Sequence, residues 1–192
     1  MNGKRRRCVR TGQAGAVLVT GLLFLLIMSL LGVAAMNVAL LEEKMAGNLR
    51  DRSVAFQAAE TALRSVEAML AASADIIEAS AVEPCRPGWY ERISCPLPSV
   101  LTDDFWKRGS VGAATGELAH VALPPQYIVE RLDCYPWPLE KCDHYPFRVT
   151  VRASGGSAAA VVMLQAVYLL TPGDAAAAQS KFLGRQSWRQ LR

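Results

Sequence analysis

The residues with the most chemistry to offer are four cysteines in the second half of the sequence: Cys85, Cys95, Cys134 and Cys142. Thiols can ligate zinc, exchange electrons or cross-link the chain. Zinc ligand pairs usually stand two to four residues apart, whereas nine residues separate Cys85 from Cys95 and seven separate Cys134 from Cys142. His144 would add a third ligand to Cys134 and Cys142, but the spacing still argues against a metal. No C-x-x-C occurs, which removes the usual redox motif. An even number of thiols in an oxidising compartment reads as two disulfides with three possible connectivities. Short loops close at low entropic cost, so the expectation is Cys85 with Cys95 and Cys134 with Cys142. The fifth cysteine, Cys8, lies in a basic head and is set apart below.

The other reactive side chains are scattered. Asp103 and Asp104 are adjacent carboxylates before Phe105 and Trp106, a pattern typical of a solvated turn. The two histidines, His120 and His144, stand apart in the sequence. Asp133, Glu140 and Asp143 flank the second cysteine pair without the spacing of an EF-hand loop. Tyr135, Trp137, Tyr145 and Phe147 surround Pro136 and Pro138, a packed loop rather than a glycan platform. No glycine-rich loop leads through a lysine into a helix, as a phosphate site requires. The expectation is a chain without catalytic residues, cofactor or bound metal.

What must position these residues is decided at the N-terminus. The net charge is +4, yet Lys4, Arg5, Arg6, Arg7 and Arg10 fall in the first ten residues; removing them leaves 16 basic against 17 acidic residues. The basicity belongs to a short head, so nucleic-acid binding by the body has little support. From Thr11 to Leu41 no residue is charged, and Ala14 to Met36 is densely apolar. About 20 apolar residues in a helix cross a bilayer. Bases before the segment and Glu42 and Glu43 after it place the N-terminus in the cytoplasm and the rest outside.

Three arrangements share this layout. A cleaved signal peptide would cut after Val33 and Ala35, but its apolar core would exceed the usual 7–15 residues. A permanent signal anchor fits the length. A prepilin leader also fits, with a basic segment, Gly15, and then a long helix. The continuation favours the third. All ten prolines lie at or beyond Pro84, so helix-compatible sequence runs from about Ala16 to about Ser80, a rod on the order of 90–100 Å. Ala55, Ala58, Ala59, Ala62, Val66, Met69 and Leu70 recur at spacings of three and four and form an apolar stripe. Glu60 and Arg64 form a favourable i,i+4 pair, with Glu67 three residues further on.

LEEKMAGNLRDRSVAFQAAETALRSVE (Leu41 to Glu67), joined to the apolar segment, closely resembles the PilX-type minor pilins of type IV pili. YPFRVTVRASGGSAAAVVMLQAVY (Tyr145 to Tyr168) is similar to the terminal β-hairpin of that family, and together the two blocks cover about half of the chain. The resemblance implies a prepilin peptidase that cuts after Gly15 and methylates Ala16. It also implies partners among other minor pilins, the major pilin, a PilY-type tip adhesin and the inner-membrane assembly platform. The chain departs from the general pilin pattern at one position. Most pilins carry glutamate fifth in the mature chain, where it neutralises the N-terminal amine of a neighbouring subunit; here the fifth residue would be Thr20. A subunit with no neighbour ahead of it has no amine to neutralise, which points to the filament tip. A minor pseudopilin of a type II secretion system, of the type that also lacks the glutamate, is the alternative, and a signal-anchored extracytoplasmic protein is another.

The expected fold is α+β and pilin-like: a long N-terminal helix whose outer half lies across a small antiparallel sheet. The leader is 1–15, the membrane or filament-core helix 16–41, its amphipathic continuation 42–83, the head 84–170 and a basic tail 171–192. Gln126 to Leu132 and Phe147 to Ala153 read as strands, the latter alternating apolar with polar residues. Ser154-Gly155-Gly156-Ser157 supplies a turn, and Ala160 to Leu170 returns as an apolar strand. After Asp174 the tail carries Lys181, Arg185, Arg189 and Arg192 with no acid. SWRQL (Ser187 to Leu191) is similar to a minor-pilin ending. Such a tail is either disordered or docks, with Trp188, on an acidic neighbour. Before assembly the protein would sit in the bacterial inner membrane with a periplasmic head; after assembly, in the pilus.

Overall fold

Most of the described part of the proline-free stretch folds as helix. A computed structural model describes residues 15–73, 76–83, 85–98, 102–107, 112–113, 120–134, 143–173 and 180–191. Helix α1 runs from Ala16 to Ala72. The chain divides into two compact units, residues 1–47 and 48–192. In the first, the helix is apolar and exposed: Leu22, Phe24, Leu25, Met28, Leu31 and Met36 all lie open. An exposed helix of this length and composition is able to cross a membrane.

In the second unit the periodic stripe is buried. Ala55, Ala58, Ala59, Ala62, Leu63, Val66 and Leu70 face inward. Four alanines at one end and Leu63, Val66 and Leu70 at the other make up the buried side of the helix. Fully burying one such leucine contributes about 1.5–3 kcal/mol. The helix stops earlier than its composition predicts. It ends at Ala72, where the Ser73 amide and hydroxyl both donate to the Met69 carbonyl, at 3.1 and 2.8 Å. The serine side chain takes up a carbonyl acceptor at the helix end. A separate short helix, α2 (Ile76–Val82), follows and buries Ile76, Ile77 and Ser80.

Among the described residues six strands form the sheet: β1 (Trp89–Glu91), β2 (Gly112–Ala113), β3 (Gln126–Arg131), β4 (Tyr145–Ser154), β5 (Val161–Thr171) and β6 (Lys181–Gln190). A five-residue helix, α3 (Asp103–Lys107), lies between β1 and β2. The spatial order is β1-β3-β4-β5-β6, with β2 also paired to β3. Successive strands from β3 to β6 pair antiparallel with one another. Strand β1 is parallel to β3, with Trp89 opposite Val129, so the sheet is mixed rather than wholly antiparallel. The long connection between them, residues 92–125, makes a parallel crossover possible.

Alternation on β4 and β5 sorts the two faces as the sequence predicts. Phe147, Val149, Val151, Val162, Leu164, Ala166, Tyr168 and Leu170 join the α1 stripe in one core. On the opposite face Ile128 and Met163 pack with Trp106 of α3. The β4–β5 loop is wider than the expected four-residue turn: Ser154 pairs with Val161, and residues 155–160 lie between. The Gly155 amide donates to the Ala160 carbonyl at 2.8 Å and closes it.

The charged C-terminal segment departs most from its sequence reading as a tail. Residues 181–190 form β6, paired with β5 from Thr171↔Lys181 to Leu164↔Gln190. Register shifts between Val167 and Tyr168 and between Leu169 and Leu170 leave Gln186 and Leu183 as extra residues on β6, on either side of Arg185 and Gly184; the φ of 90° at Gly184 favours glycine.

Candidate functional site

Gly15 immediately precedes α1, and Ala16 is its first residue. Among the described residues, apart from its chain neighbours and its own helix, no atom would lie within 4 Å of a Cβ built on Gly15. The Gly15 carbonyl accepts the first helical bond, from the Val19 amide at 3.5 Å. Thr20 points its hydroxyl back along the helix, where Oγ1 lies 3.0 Å from the carbonyls of both Ala16 and Val17. Its polar atom is therefore satisfied within one turn and requires no second molecule. The basic residues 1–14, Cys8 among them, lie outside the described residues.

The second unit holds the helix to the sheet by polar clamps at intervals along it. Near its start, Asp51 accepts from Ser157: the backbone amide lies 3.1 Å from Oδ1, and the hydroxyl donates to Oδ2. The Ser157 side chain, aided by the amides of Ser157 and Gly156, holds the Asp51 carboxyl below its ordinary pKa. Gly155 passes so close that a Cβ there would lie 2.3 Å from the Asp51 carbonyl oxygen. Both glycines of the SGGS turn thus serve an approach to the helix. Sequence reasoning assigned this tetrapeptide to a turn only; the cue it offered was the pairing of two glycines with a serine, without the identity of the acid.

Near its end, Glu67 receives two donors from different strands. Tyr168 Oη donates to Glu67 Oε2 at 3.1 Å, and Arg185 Nη2 donates to the same oxygen at 2.8 Å. Burial foremost raises the Tyr168 phenol pKa far above its usual value, keeping it a donor. Burial alone would lower the Arg185 pKa, but the hydrogen bond and charge of Glu67 outweigh it and the net shift is upward. Arg185 also lies 5.8 Å from the Tyr168 ring centre. Phe56 meets Trp188 edge to face with centroids 6.3 Å apart. The charged strand β6 is therefore docked on the helix of its own chain.

A third connection ties α2 to the edge of the sheet. Arg131 on β3 forms an ion pair with Glu91 on β1 and lies 3.4 Å from both the Ile77 carbonyl and the Ser80 hydroxyl. Burial lowers the Arg131 pKa. Beside this group, Cys85 and Cys95 form a disulfide with Cα atoms 5.9 Å apart. Cys134 is buried and disulfide-bonded; Cys142 lies outside the described residues.

The remaining chemical side chains do not converge. Asp103 and Asp104 open α3 rather than a loop turn, and Asp103 pairs with Arg152 at 3.0 Å. His120 is exposed in the left-handed region at φ 68°. His144 Nδ1 is buried without a hydrogen-bond partner among the described residues. Asp133 pairs with Arg92 at 3.5 Å, Asp143 is exposed, and Glu140 lies outside the described residues. So do Tyr135 and Trp137, whereas Phe147 is in the core. Among the described residues no three His, Cys, Asp or Glu side chains assemble into a metal site.

This geometry, an apolar exposed helix continuing into an amphipathic one clamped on a sheet, suits a subunit that packs by its helix. The family comparison decides which kind. Residues 14–64 match the PilX N-terminal model, and residues 71–170 match the model of the type IV pilus assembly protein PilX C-terminal region. The chain belongs to the PilX family. It is a minor pilin of type IV pili, a membrane-anchored structural component of the pilus. No curated protein matches the chain, and no solved structure does. The PilX C-terminal match ends at residue 170, so β6 lies beyond it.

Proposed function

We propose that this PilX-family minor pilin starts type IV pilus assembly and occupies a position at or near the filament tip, without enzymatic activity. The observation that carries the proposal is Thr20. Its hydroxyl is bonded to the Ala16 and Val17 carbonyls of its own helix, so it offers no charge to a neighbour. Inside a filament, an N-terminal amine packed in apolar surroundings without a partner costs several kcal/mol. A subunit with threonine here is tolerated best where no amine precedes it.

The rest of the reading follows. A prepilin peptidase removes residues 1–15 after Gly15 and methylates Ala16. The head is periplasmic before assembly, and the oxidising compartment allows Cys134 to pair with Cys142. The partners are other minor pilins, the major pilin, a PilY-type tip adhesin and the inner-membrane assembly platform.

The test is Thr20→Glu in cells that lack the wild-type copy, with the head tagged. A carboxylate at position 20 either impairs initiation, giving fewer pili, or admits the subunit to the shaft, spreading label along the filament. Unchanged pilus number with label still confined to the tip would refute control of position by residue 20.

A further inference from the structure

One end of the head gathers bases and exposed apolar side chains that the helix–sheet core does not use. Strand β6 runs opposite to α1: Arg185 meets Glu67, and Trp188, three residues on, meets Phe56. The last residues of β6 therefore lie beside the start of the head's helical face. The β4–β5 loop is held at the same end by Asp51. Leu191 prolongs the ladder there, its amide donating to the Met163 carbonyl at 2.9 Å.

Leu49, Arg52 and Phe56 follow one another at spacings of three and four along α1 and share one side of it. Leu49 is 70% exposed, and Trp188 and Leu191 are each 42% exposed. The bases are Arg50, Arg52 and Arg189, all exposed. Among the described residues none of the three has an acid within ion-pair distance. Arg189 is nonetheless held in place. Its Nε and Nη2 donate to Gln165 Oε1 at 2.9 and 2.6 Å, and Gln165 donates in turn to the Thr150 hydroxyl at 2.9 Å. The acid on α1 at this end, Asp51, is engaged by Ser157. Across the loop, Asp103 and Asp104 of α3 are balanced by Lys107 and Arg152. Exposed arginines beside a half-exposed tryptophan and leucines make a surface of the kind that sits at a membrane–water interface.

The chain supplies such an interface. Seven positions separate Leu41, the last residue of the uncharged run, from Asn48, where the head unit begins. Fully extended, that length spans no more than about 25 Å. A lipid surface at the end of the membrane-crossing run is therefore within reach of this end of the head, and a tethered contact needs little intrinsic affinity. The tether itself carries Glu42 and Glu43 against Lys44, so attraction to anionic lipid has to come from the head.

We propose that this end of the head docks on an anionic lipid surface, with Arg50, Arg52 and Arg189 toward lipid phosphates and Leu49, Trp188 and Leu191 at headgroup level. Each base near such a surface favours the docked state about fivefold, and a guanidinium fits phosphate oxygens. An acidic polypeptide would also attract the bases, but the membrane is the anion that the chain itself holds nearby. The inference rests on the membrane anchor and not on a place at the filament tip.

The experiment uses the full chain in lipid nanodiscs, one set of phosphatidylcholine and one containing phosphatidylglycerol. Both carry the same share of phosphatidylcholine brominated close to its headgroup, and bromine quenches tryptophan emission on close approach. Of the four tryptophans, Trp89 and Trp106 are buried, and Trp188→Phe identifies the signal of residue 188. Co-elution with the discs reports the anchor separately. The proposal expects Trp188 to be quenched several-fold more in the phosphatidylglycerol discs. The difference should vanish at about 1 M salt, where the screening length is about 3 Å. Combining Arg50→Gln, Arg52→Gln and Arg189→Gln should bring quenching in the anionic discs down to the neutral level. The salt comparison needs no variant, so the test stands even if a variant misfolds. With the chain incorporated, equal quenching in both discs, or none in either, overturns the proposal. Trp188 emission that responds to added polyglutamate but not to lipid charge assigns the surface to an acidic polypeptide and overturns it as well.

Discussion

Asp51, near the start of the head's helical face, holds Ser157 at the tip of the β4–β5 loop, with the Ser157 amide 3.1 Å from its Oδ1. The bond joins residues 106 positions apart in sequence. It ties the tip of the hairpin to the helix just before the buried alanines begin at Ala55.

The carboxylate form of Asp51 is the one that makes this clamp, and its folded pKa lies below the ordinary 3.8. A depressed folded value means that the contribution is complete above the unfolded pKa and disappears as pH falls through the folded one. Asp51→Asn should therefore lower the melting temperature at neutral pH. The difference from wild type should close once the pH drops well below 3.8. Paired thermal melts across that range check it; a difference independent of pH would show that the charge is not what matters.

Gly155→Ala should be the more damaging change in the same loop. The new Cβ would lie 2.3 Å from the Asp51 backbone oxygen, an atom that cannot turn aside as a side chain would. Overpacking of this kind costs about 1–3 kcal/mol. Chemical denaturation should show a lower midpoint with an unchanged slope. At Gly184, by contrast, a Cβ meets nothing within 4 Å, and any cost of Gly184→Ala arises from its positive φ alone.

Glu67 should matter through what it leaves behind. Replacing it by alanine strips the Tyr168 phenol and the Arg185 guanidinium of their shared acceptor, with an expected loss of about 1–3 kcal/mol. Tyr168→Phe removes one donor and should cost less. In a double-mutant cycle the two changes should be non-additive, since they act on one bond. Strict additivity would mean that the contact is not formed in solution.

Reduction of the Cys85–Cys95 disulfide opens a loop of about ten residues, worth roughly 2–3 kcal/mol in the chain-entropy model. Non-reducing peptide mapping should recover a Cys85–Cys95 peptide and, on the proposal for the second pair, a Cys134–Cys142 peptide. A Cys85–Cys142 peptide would contradict both pairings.

Gly15→Val tests processing. Glycine leaves the backbone before Ala16 open to a protease active site, and nothing within 4 Å of its Cβ position constrains it. The substitution should leave folding intact and the basic leader attached, as read by intact-mass spectrometry. A mature chain beginning at Met36 would instead indicate signal-peptide cleavage.

Some features of the chain are settled by near neighbours and are therefore visible in the sequence. The uncharged run from Thr11 to Leu41 is long enough to span a bilayer whatever surrounds it. The stripe at 55, 58, 59, 62, 66 and 70 buries one side of a helix because 3.6-residue periodicity leaves no other arrangement. Phe147, Val149 and Val151 alternate, and the strand pleat sends them to the core together. The short spacing of Cys85 and Cys95 made their pairing the cheapest closure. Strand β6 has no such local signature: Lys181, Gly184, Arg185, Gln186 and Arg189 read as a solvated tail. It becomes a strand through its ladder with β5 and through Arg185 and Trp188, which meet Glu67 and Phe56 on the helix. The parallel pairing of β1 and the grip of Asp51 on Ser157 are likewise tertiary outcomes. Each depends on groups far apart in the chain finding hydrogen-bond partners in space, and residue order alone carries no record of that distance.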